Sequence, residues 1–187
     1  MYSLNTQAYS SNNYSQNNIK EKNKLYEKIT LIIVTTILTI ILLIIIIFNV
    51  GLYKINGTSM SPTLKEKEYV LTYQPIEYKR GDIIAFHHNN AIMIKRIVGL
   101  PNDIIDFEQD GTVLINNKIL SEPYLTSKAL GLPDIKLPYT VPPESYFVLG
   151  DNRSDSIDSR DVAIGCVKVG DIVGKVEFSI FPPAKIK

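Results

Sequence analysis

Several residue types are scarce in this sequence, and each scarcity excludes a class of chemistry. The chain has 187 residues with one cysteine, Cys166, two histidines and no tryptophan. A lone cysteine excludes an internal disulfide framework and a multi-cysteine zinc site, and two histidines are too few for most His-based metal cages. We therefore expect no metal and no cofactor, so any catalysis must use hydroxyls, carboxylates, amines or the backbone.

An excess of charge of either sign is also missing. Lys and Arg number 20 against 19 Asp and Glu, so the formal net charge is +1. Nucleic-acid binding through a broad basic surface needs a clear excess of positive charge. The composition therefore predicts that the chain has no nucleic-acid partner.

One long stretch near the N-terminus lacks charge altogether. Residues 29–50, ITLIIVTTILTIILLIIIIFNV, contain no charged residue and no proline. A helix of this length spans roughly 33 Å, against about 30 Å for the hydrocarbon core of a bilayer. We interpret the segment as an uncleaved transmembrane anchor in the cell membrane. A cleaved signal peptide is the alternative, but its apolar stretch is about 7–15 residues long and ends at a small-x-small site, which is not evident around residues 49–52.

The two flanks of this anchor differ in composition. Residues 1–28 are rich in Asn, Ser, Gln and Tyr and can bury little apolar area, which predicts a disordered tail. The charged residues of the tail gather directly before the anchor: Lys20, Glu21, Lys22, Lys24, Glu27 and Lys28. This local excess of positive charge favours a cytoplasmic N-terminus, with residues 51–187 as a separate extracytoplasmic domain.

Short apolar runs broken by turn residues characterise residues 51–187. Runs such as EYVLTYQP, TVLINNKIL and VGDIVGKVEFSI are rich in β-branched residues and lie between Gly, Pro, Asn and Asp, which indicates strands. Asp110-Gly111 and Asn116-Asn117 predict successive hairpins, and the HHNN segment at 87–90 predicts a hairpin tip. No helical pattern of convincing length occurs in these residues. The sequence therefore predicts a mostly β domain after a single transmembrane helix.

The segment NGTSMSPTL, residues 56–64, contains a candidate nucleophile, Ser59. An extended chain covers at most about 3.3–3.6 Å per residue, so Ser59 lies within roughly 30 Å of the end of the anchor. Taken alone, the segment is equally consistent with a simple loop. A serine hydroxyl also needs a base. His87 and His88 are adjacent at a hairpin tip, which argues against a histidine triad.

Lysine can replace histidine as a base when burial keeps its amine neutral. Lys95 is the lysine in apolar company, within AIMIKRIV, and on a strand it shares a face with Met93 and Ile97. A thousandfold change in proton affinity corresponds to about 4 kcal/mol, which requires a dry site. An edge strand with two exposed cations, Lys95 and Arg96, is the alternative explanation of the same pattern.

A third polar segment, GDNRSDSIDSRD at residues 150–161, follows the apolar run SYFVL. Asp, Asn and Ser side chains readily bond nearby backbone, so a self-capped turn is one interpretation. The segment also faintly resembles a calcium-binding loop. It has neither the glycine nor the twelfth-position glutamate of such loops, which argues against a calcium site.

In order along the chain, GTSMSPTL, GDIIAF, MIKRIVGLPND and VLGDNRSDSIDSRD resemble the motifs of the type I signal peptidases, or leader peptidases. Members of this family are membrane-anchored serine/lysine endopeptidases. The resemblance extends from the anchor to the C-terminus and implies an antiparallel, barrel-like β catalytic domain. It implies that the partners are the bilayer and the signal peptides of secreted preproteins, which are cut after small residues at Ala-x-Ala sites.

The resemblance also implies roles for single residues. Ser59 matches the nucleophile and Lys95 the general base, while Ser156 matches the serine that hydrogen-bonds and orients the lysine. Further matches lie in the same polar loop: Asp151, which supports the geometry of the site, and the structural ion pair of Asp158 with Arg160.

The oxyanion site and the substrate pockets follow less directly from the resemblance. Gly57 stands where some members carry a serine that adds to the oxyanion hole, so backbone N–H groups around Gly57 and Ser59 are expected to form it. The preference for small substrate side chains implies two shallow apolar pockets. The residues expected on their walls are Tyr53, Ile55, Met60, Leu64 and Ile94.

Two other functions fit parts of this pattern. The self-cleaving SOS repressors share a Ser/Lys site and a related β fold, but they carry a DNA-binding domain where this chain has an apolar anchor. A non-enzymatic surface domain would not need Ser59, Lys95 and Ser156 to be intact together. Both explain the sequence less well than a signal peptidase does.

Overall fold

A computed structural model describes residues 3–131, 133–180 and 183–185 of the chain. It divides into two units, residues 1–48 and 49–187. The first unit is the helix α1, which runs over Ser3–Asn49. Within it, Lys22–Ile44 forms a stretch long and apolar enough to cross a membrane. The predicted apolar helix is therefore present.

Both ends of this helix differ from the sequence-based prediction. Composition predicted disorder up to Lys28, whereas the helix already includes Ser3–Lys28; Met1 and Tyr2 lie outside the described residues. Once the apolar segment has nucleated a helix, each added residue contributes one more hydrogen bond at little further cost. At the other end, Val50 was expected to close the anchor. It begins a strand instead, because its backbone pairs with Tyr73.

The regular secondary structure described in the second unit is almost entirely antiparallel strand, which confirms the predicted mostly β fold. In chain order the strands are β1 (Val50–Lys54), β2 (Tyr69–Tyr73), β3 (Ile83–His88), β4 (Ala91–Gly99), β5 (Ile104–Phe107), β6 (Val113–Ile115), β7 (Lys118–Ile119), β8 (Tyr139–Thr140), β9 (Ser145–Leu149), β10 (Val167–Lys168), β11 (Ile172–Ile180) and β12 (Pro183–Lys185). The larger sheet has the order β1-β2-β11-β3-β4-β9-β10, with β12 paired to β11, and the smaller sheet has the order β7-β6-β5-β8. In the described part of this unit, a single 3₁₀ turn, Val169–Asp171, is helical.

The three hairpins predicted from turn residues are confirmed. Asn89-Asn90 and Asn116-Asn117 adopt positive φ angles of 45°, 62°, 52° and 62°, as two-residue hairpin turns require. They join β3 to β4 and β6 to β7. The loop containing Asp110-Gly111 joins β5 to β6, and Gly111 has a φ of 87°. Asparagine and glycine tolerate this left-handed conformation better than other residues, which is why the signal was readable from sequence.

Strand β4 crosses the middle of the larger sheet, and its two halves have different neighbours. Residues 91–96 pair with β3, whereas β9 pairs with β4 only from Arg96 to Gly99. Among the described residues, 91–95 therefore keep one backbone edge unpaired. Lys95 and Arg96 are only 4% and 2% exposed. This rules out the alternative of an edge strand with two solvated cations.

One of three apolar clusters supports the segment that carries Ser59. It contains Ile55, Met60, Leu64, Val70, Ile83 and Val176. Met60 and Leu64 are 2% and 0% exposed, and the Leu64 N–H donates to the Met60 carbonyl at 2.9 Å. Burying a side chain of this size stabilises a fold by roughly 1.5–3 kcal/mol. The turn after β1 is therefore held by its own apolar residues against β2, β3 and β11.

Candidate active site

The fold brings Ser59 and Lys95 together although they are 36 residues apart in the sequence. Ser59 lies in the turn that follows β1, and Lys95 lies in the half of β4 with the unpaired edge. The Lys95 Nζ is 2.6 Å from the Ser59 Oγ, within hydrogen-bond distance. When the amine is neutral, its lone pair can accept the hydroxyl proton from this position.

Burial governs the protonation of Lys95. Removal of the amine from water lowers its pKa from the ordinary value of 10.5. The nearby carboxylates of Asp158, Asp151 and Asp155 raise the pKa and partly oppose burial, while the Arg160 guanidinium lowers it. The net direction is downward, because burial is the largest effect. A larger fraction of this amine is therefore neutral at a given pH than for an exposed lysine.

Arg96, on the opposite face of β4 from Lys95, forms a buried ion pair with Asp151. Its Nε donates to Asp151 Oδ1 at 2.8 Å and its Nη2 to Asp151 Oδ2 at 2.7 Å. The guanidinium also stacks on the Tyr124 ring, 4.1 Å from its centroid. Asp151 in turn accepts a short hydrogen bond from the Thr63 hydroxyl. These contacts connect the strand that carries Lys95, the segment that carries Ser59 and the polar loop after β9.

Asp158 and Arg160 form a second buried ion pair within the polar loop. The Arg160 Nε and Nη2 donate to the Asp158 carboxylate at 2.8 and 2.9 Å. Asp158 Oδ2 also accepts the Gly150 N–H at 3.0 Å, and Arg160 donates to the Arg153 carbonyl at 2.8 Å. Since both charges are nearly fully buried, loss of either partner would leave an uncompensated charge. The pair expected from sequence is thus present, and it braces the loop.

Ser156 lies at the groove but does not make the expected hydrogen bond to Lys95. Its Oγ is buried and has no hydrogen-bond partner among the described residues. The space around it is tight. A Cβ on Gly150 would lie 2.2 Å from the Ser156 Oγ and 2.6 Å from the Ser59 carbonyl oxygen. A glycine at 150 is therefore needed for the polar loop to approach the nucleophile this closely.

The backbone around Ser59 leaves a donor free for an oxyanion. Gly57 has a φ of 87°, a conformation that other residues adopt only with strain. The Asn152 N–H donates to the Ser59 carbonyl at 3.0 Å, and its side-chain amide donates to the Thr58 carbonyl at 3.3 Å. The Ser59 N–H itself makes no hydrogen bond to the residues that the structure describes. A fixed, unpaired N–H next to the hydroxyl is suited to stabilise developing negative charge.

A groove of about 920 Å³ runs past the Ser59 hydroxyl and the Lys95 amine. Its walls are residues 53–60, 91–95 and 154–157, which include four of the five residues expected on substrate-pocket walls: Tyr53, Ile55, Met60 and Ile94. Leu64 does not line the groove. It is completely buried in the apolar cluster beneath, and its N–H bonds to the Met60 carbonyl within the turn. His87 and His88 are not among the lining residues either.

Several residues of the site were not identified from sequence. Arg96 was considered only as one of two exposed cations in the edge-strand alternative, and Thr58, Asn152 and Asp155 received no role. Each lies one residue from a matched residue: Arg96 from Lys95, Thr58 from Ser59, Asn152 from Asp151 and Asp155 from Ser156. Their adjacency to matched residues was the signal in the sequence that could have identified them. No group of three or more His, Cys, Asp or Glu side chains suited to a metal ion occurs in the part of the chain that the structure describes.

Comparison with known proteins places this chain in a family. Residues 28–181 match the profile of the family described as signal peptidase, peptidase S26. A signal peptidase I of Bacillus licheniformis is 36% identical over 180 residues, covering 89% of this chain and 94% of that protein. A signal peptidase IB of Staphylococcus aureus is 36% identical over 160 residues, covering 75% and 82%. A crystal structure of a signal peptidase I from Enterococcus faecalis matches 53% of this chain and 96% of its own at 35% identity, with a TM-score of 0.44. The chain therefore belongs to the signal peptidase family, peptidase S26, and to its type I members.

Proposed function

We propose that this signal peptidase is a membrane-anchored serine endopeptidase that cuts signal peptides from preproteins with a Ser59/Lys95 dyad. One observation carries the proposal. Lys95 is 4% exposed, and its amine lies 2.6 Å from the Ser59 hydroxyl at the wall of an open groove. A buried amine with a lowered pKa is the kind of base that can activate a serine without histidine.

The proposed reaction has two halves that use the same two side chains. Neutral Lys95 takes the Ser59 proton as the Ser59 oxygen attacks the scissile carbonyl, and the resulting oxyanion binds the Ser59 N–H. The lysine then donates its proton to the leaving amine, which departs as the new N-terminus of the mature protein. Water, deprotonated by the same lysine, hydrolyses the acyl-enzyme and releases the signal peptide.

The walls of the groove support binding of an extended peptide. Residues 91–95 of β4 keep an unpaired backbone edge on one wall, and residues 53–57 form the other. A peptide strand could hydrogen-bond to such an edge, with alternate side chains directed into pockets. Ile55, Met60 and Ile94 line the groove, and shallow apolar pockets formed by these side chains would favour alanine one and three residues before the cut.

The N-terminal helix accounts for the proposed location. Its stretch from Lys22 to Ile44 is suited to insertion in a lipid bilayer as a single span. The lysines at its start favour a cytoplasmic N-terminus and a catalytic domain on the outer face. The cleavage site of a signal peptide also lies just outside the membrane, so a protease joined to its anchor by a short stretch of chain suits this substrate.

Cleavage of a synthetic preprotein segment tests this function. The full chain in detergent micelles is incubated with a peptide that carries an apolar core and one Ala-x-Ala site, and mass spectrometry locates the cut. We expect a single cut after the second alanine. Replacing that alanine with leucine should reduce kcat/KM at least about 100-fold, because a branched side chain must overfill a shallow pocket. Equal cleavage of both peptides would contradict the proposed pockets.

The pH dependence of cleavage tests the base. Because the neutral amine is the reactive form, kcat/KM should rise with pH through the pKa of Lys95 and level off above it. Burial lowers that pKa, so the rising limb should lie clearly below the ordinary lysine value of 10.5. Rates at constant ionic strength, with thermal unfolding recorded at each pH, separate titration from loss of fold. A limb centred near the ordinary lysine value would contradict a buried base.

A further inference from the structure

One carboxylate, Asp155, lines the groove among the residues that the structure describes. The other charged lining residues are Lys54 and Lys95. Lys54 is exposed near the Tyr69 ring, 5.9 Å from its centroid, and Lys95 is the buried base. Asp155 is exposed to the groove. It is therefore the one acidic side chain that a bound peptide would meet at this wall.

A hydrogen bond holds Asp155 beside the nucleophile. Its Oδ2 accepts a short hydrogen bond from the hydroxyl of Thr58, the residue before Ser59. Asp155 itself directly precedes Ser156. The Asn152 bonds to the Thr58 and Ser59 carbonyls join the same two segments. The carboxylate is thus kept near the reacting atoms rather than free to leave the groove, and its Oδ1 has no hydrogen-bond partner among the described residues.

We propose that Asp155 is a specificity-determining residue, whose charge favours basic and disfavours acidic side chains in the substrate residues that flank the cut. This inference rests on the proposed peptidase function. A carboxylate that is already held in place attracts a cation and repels an anion without losing side-chain conformational entropy when the peptide binds. Specificity is the ratio of kcat/KM for two peptides, here one with lysine and one with glutamate at the same position. Attraction of lysine and repulsion of glutamate both increase that ratio.

The expected size of this preference is modest. Partly exposed charge pairs change affinity by roughly 1.5- to 5-fold each. The ratio of kcat/KM for lysine against glutamate at the same substrate position should therefore be about 3- to 20-fold in favour of lysine. Asp155 also raises the pKa of Lys95 through its charge. That effect changes the rate for every peptide alike, so it cancels in the ratio.

The test compares three enzymes on one set of peptides. The peptides share an Ala-x-Ala site and carry Lys, Ala or Glu at the position between the alanines, or at the first or second position after the cut. The enzymes are the wild type, Asp155→Asn, and Glu66→Gln as a control that removes the same charge from an exposed turn outside the groove. Asparagine keeps an oxygen that can accept from Thr58, so the fold should persist. Asp155→Ser serves as a second variant if it does not.

We expect the wild type and Glu66→Gln to prefer lysine over glutamate at one or more positions, and Asp155→Asn to lose most of that preference. Raising the salt concentration should reduce the wild-type ratio, since ions screen exposed charges. An unchanged ratio in Asp155→Asn at every position, or a ratio insensitive to salt, would overturn the role of Asp155. If the wild type cleaves none of the peptides, the proposed function fails instead. In that case, the affinities of the Ser59→Ala variant for the Lys and Glu peptides still test whether the groove prefers a basic side chain.

Discussion

Ser59→Ala is expected to reduce kcat/KM for a signal-peptide substrate by about 10³- to 10⁶-fold. Alanine removes the attacking oxygen but keeps the backbone N–H that would bind the oxyanion, so only the residual effect of binding and polarisation remains. Peptide affinity should change little, because the substitution removes one oxygen from the groove wall and leaves the other lining residues in place. Rates of peptide cleavage by the purified variant, with binding measured by fluorescence anisotropy, provide the comparison.

The control for this substitution is Ser127→Ala, which removes an exposed hydroxyl from a residue that does not line the groove. This control should cleave at the wild-type rate. If Ser59→Ala retained a rate within tenfold of the wild type, then Ser59 would not be the nucleophile, and the dyad would have to be abandoned.

Lys95→Met is expected to cause a loss of similar size, for a different reason. Methionine fills much of the same volume but has no basic nitrogen, so the Ser59 proton has no acceptor within 2.6 Å. The fold should not suffer. Burial of the amine already lowers its pKa, which means that the native state carries a penalty for keeping an ammonium there. A methionine has no such penalty, so the melting temperature should be unchanged or higher.

Two comparisons make this result specific to the base. Lys118→Met, on the exposed strand β7, removes an equal charge and should leave cleavage unchanged. The double variant Ser59→Ala, Lys95→Met should be no slower than either single variant, because residues that act as one unit lose their effect together. Losses that multiplied in the double variant would mean that the two residues act in separate steps.

Local signals in the sequence were sufficient to predict the apolar helix and the hairpins of the fold. The uncharged run of residues 29–50 indicated the apolar helix, and paired asparagines and Asp-Gly marked the hairpins that the structure contains. These features depend on a few consecutive residues, whose composition or φ preference acts wherever the segment lies. The start of the helix was predicted less well. Polar composition argues against a buried core, but it does not prevent an existing helix from extending.

The direction in which a side chain points was harder to predict from its separation in sequence from Ser59 or Lys95. Leu64 was expected on a pocket wall because it lies five residues after Ser59, yet the turn directs it into the apolar cluster with Met60. Ser156 was expected to bond the lysine, yet its hydroxyl is buried without a partner in the described residues. An offset says how far a residue can reach, whereas the local turn decides which way its side chain points.

By itself, the sequence determined that an apolar helix precedes a mostly β domain, that one cysteine cannot form an internal disulfide framework, and which serine and lysine to examine. Only the tertiary structure decided that these two meet at 2.6 Å, that Lys95 is buried, and that Asp151 reaches Arg96 across 55 residues of chain. The physical reason is that secondary structure follows from short-range preferences, whereas burial and the pKa of an amine depend on every strand packed around it. The sequence around Lys95 is consistent with a solvated cation as well as with a base until its neighbours in the sheet are known.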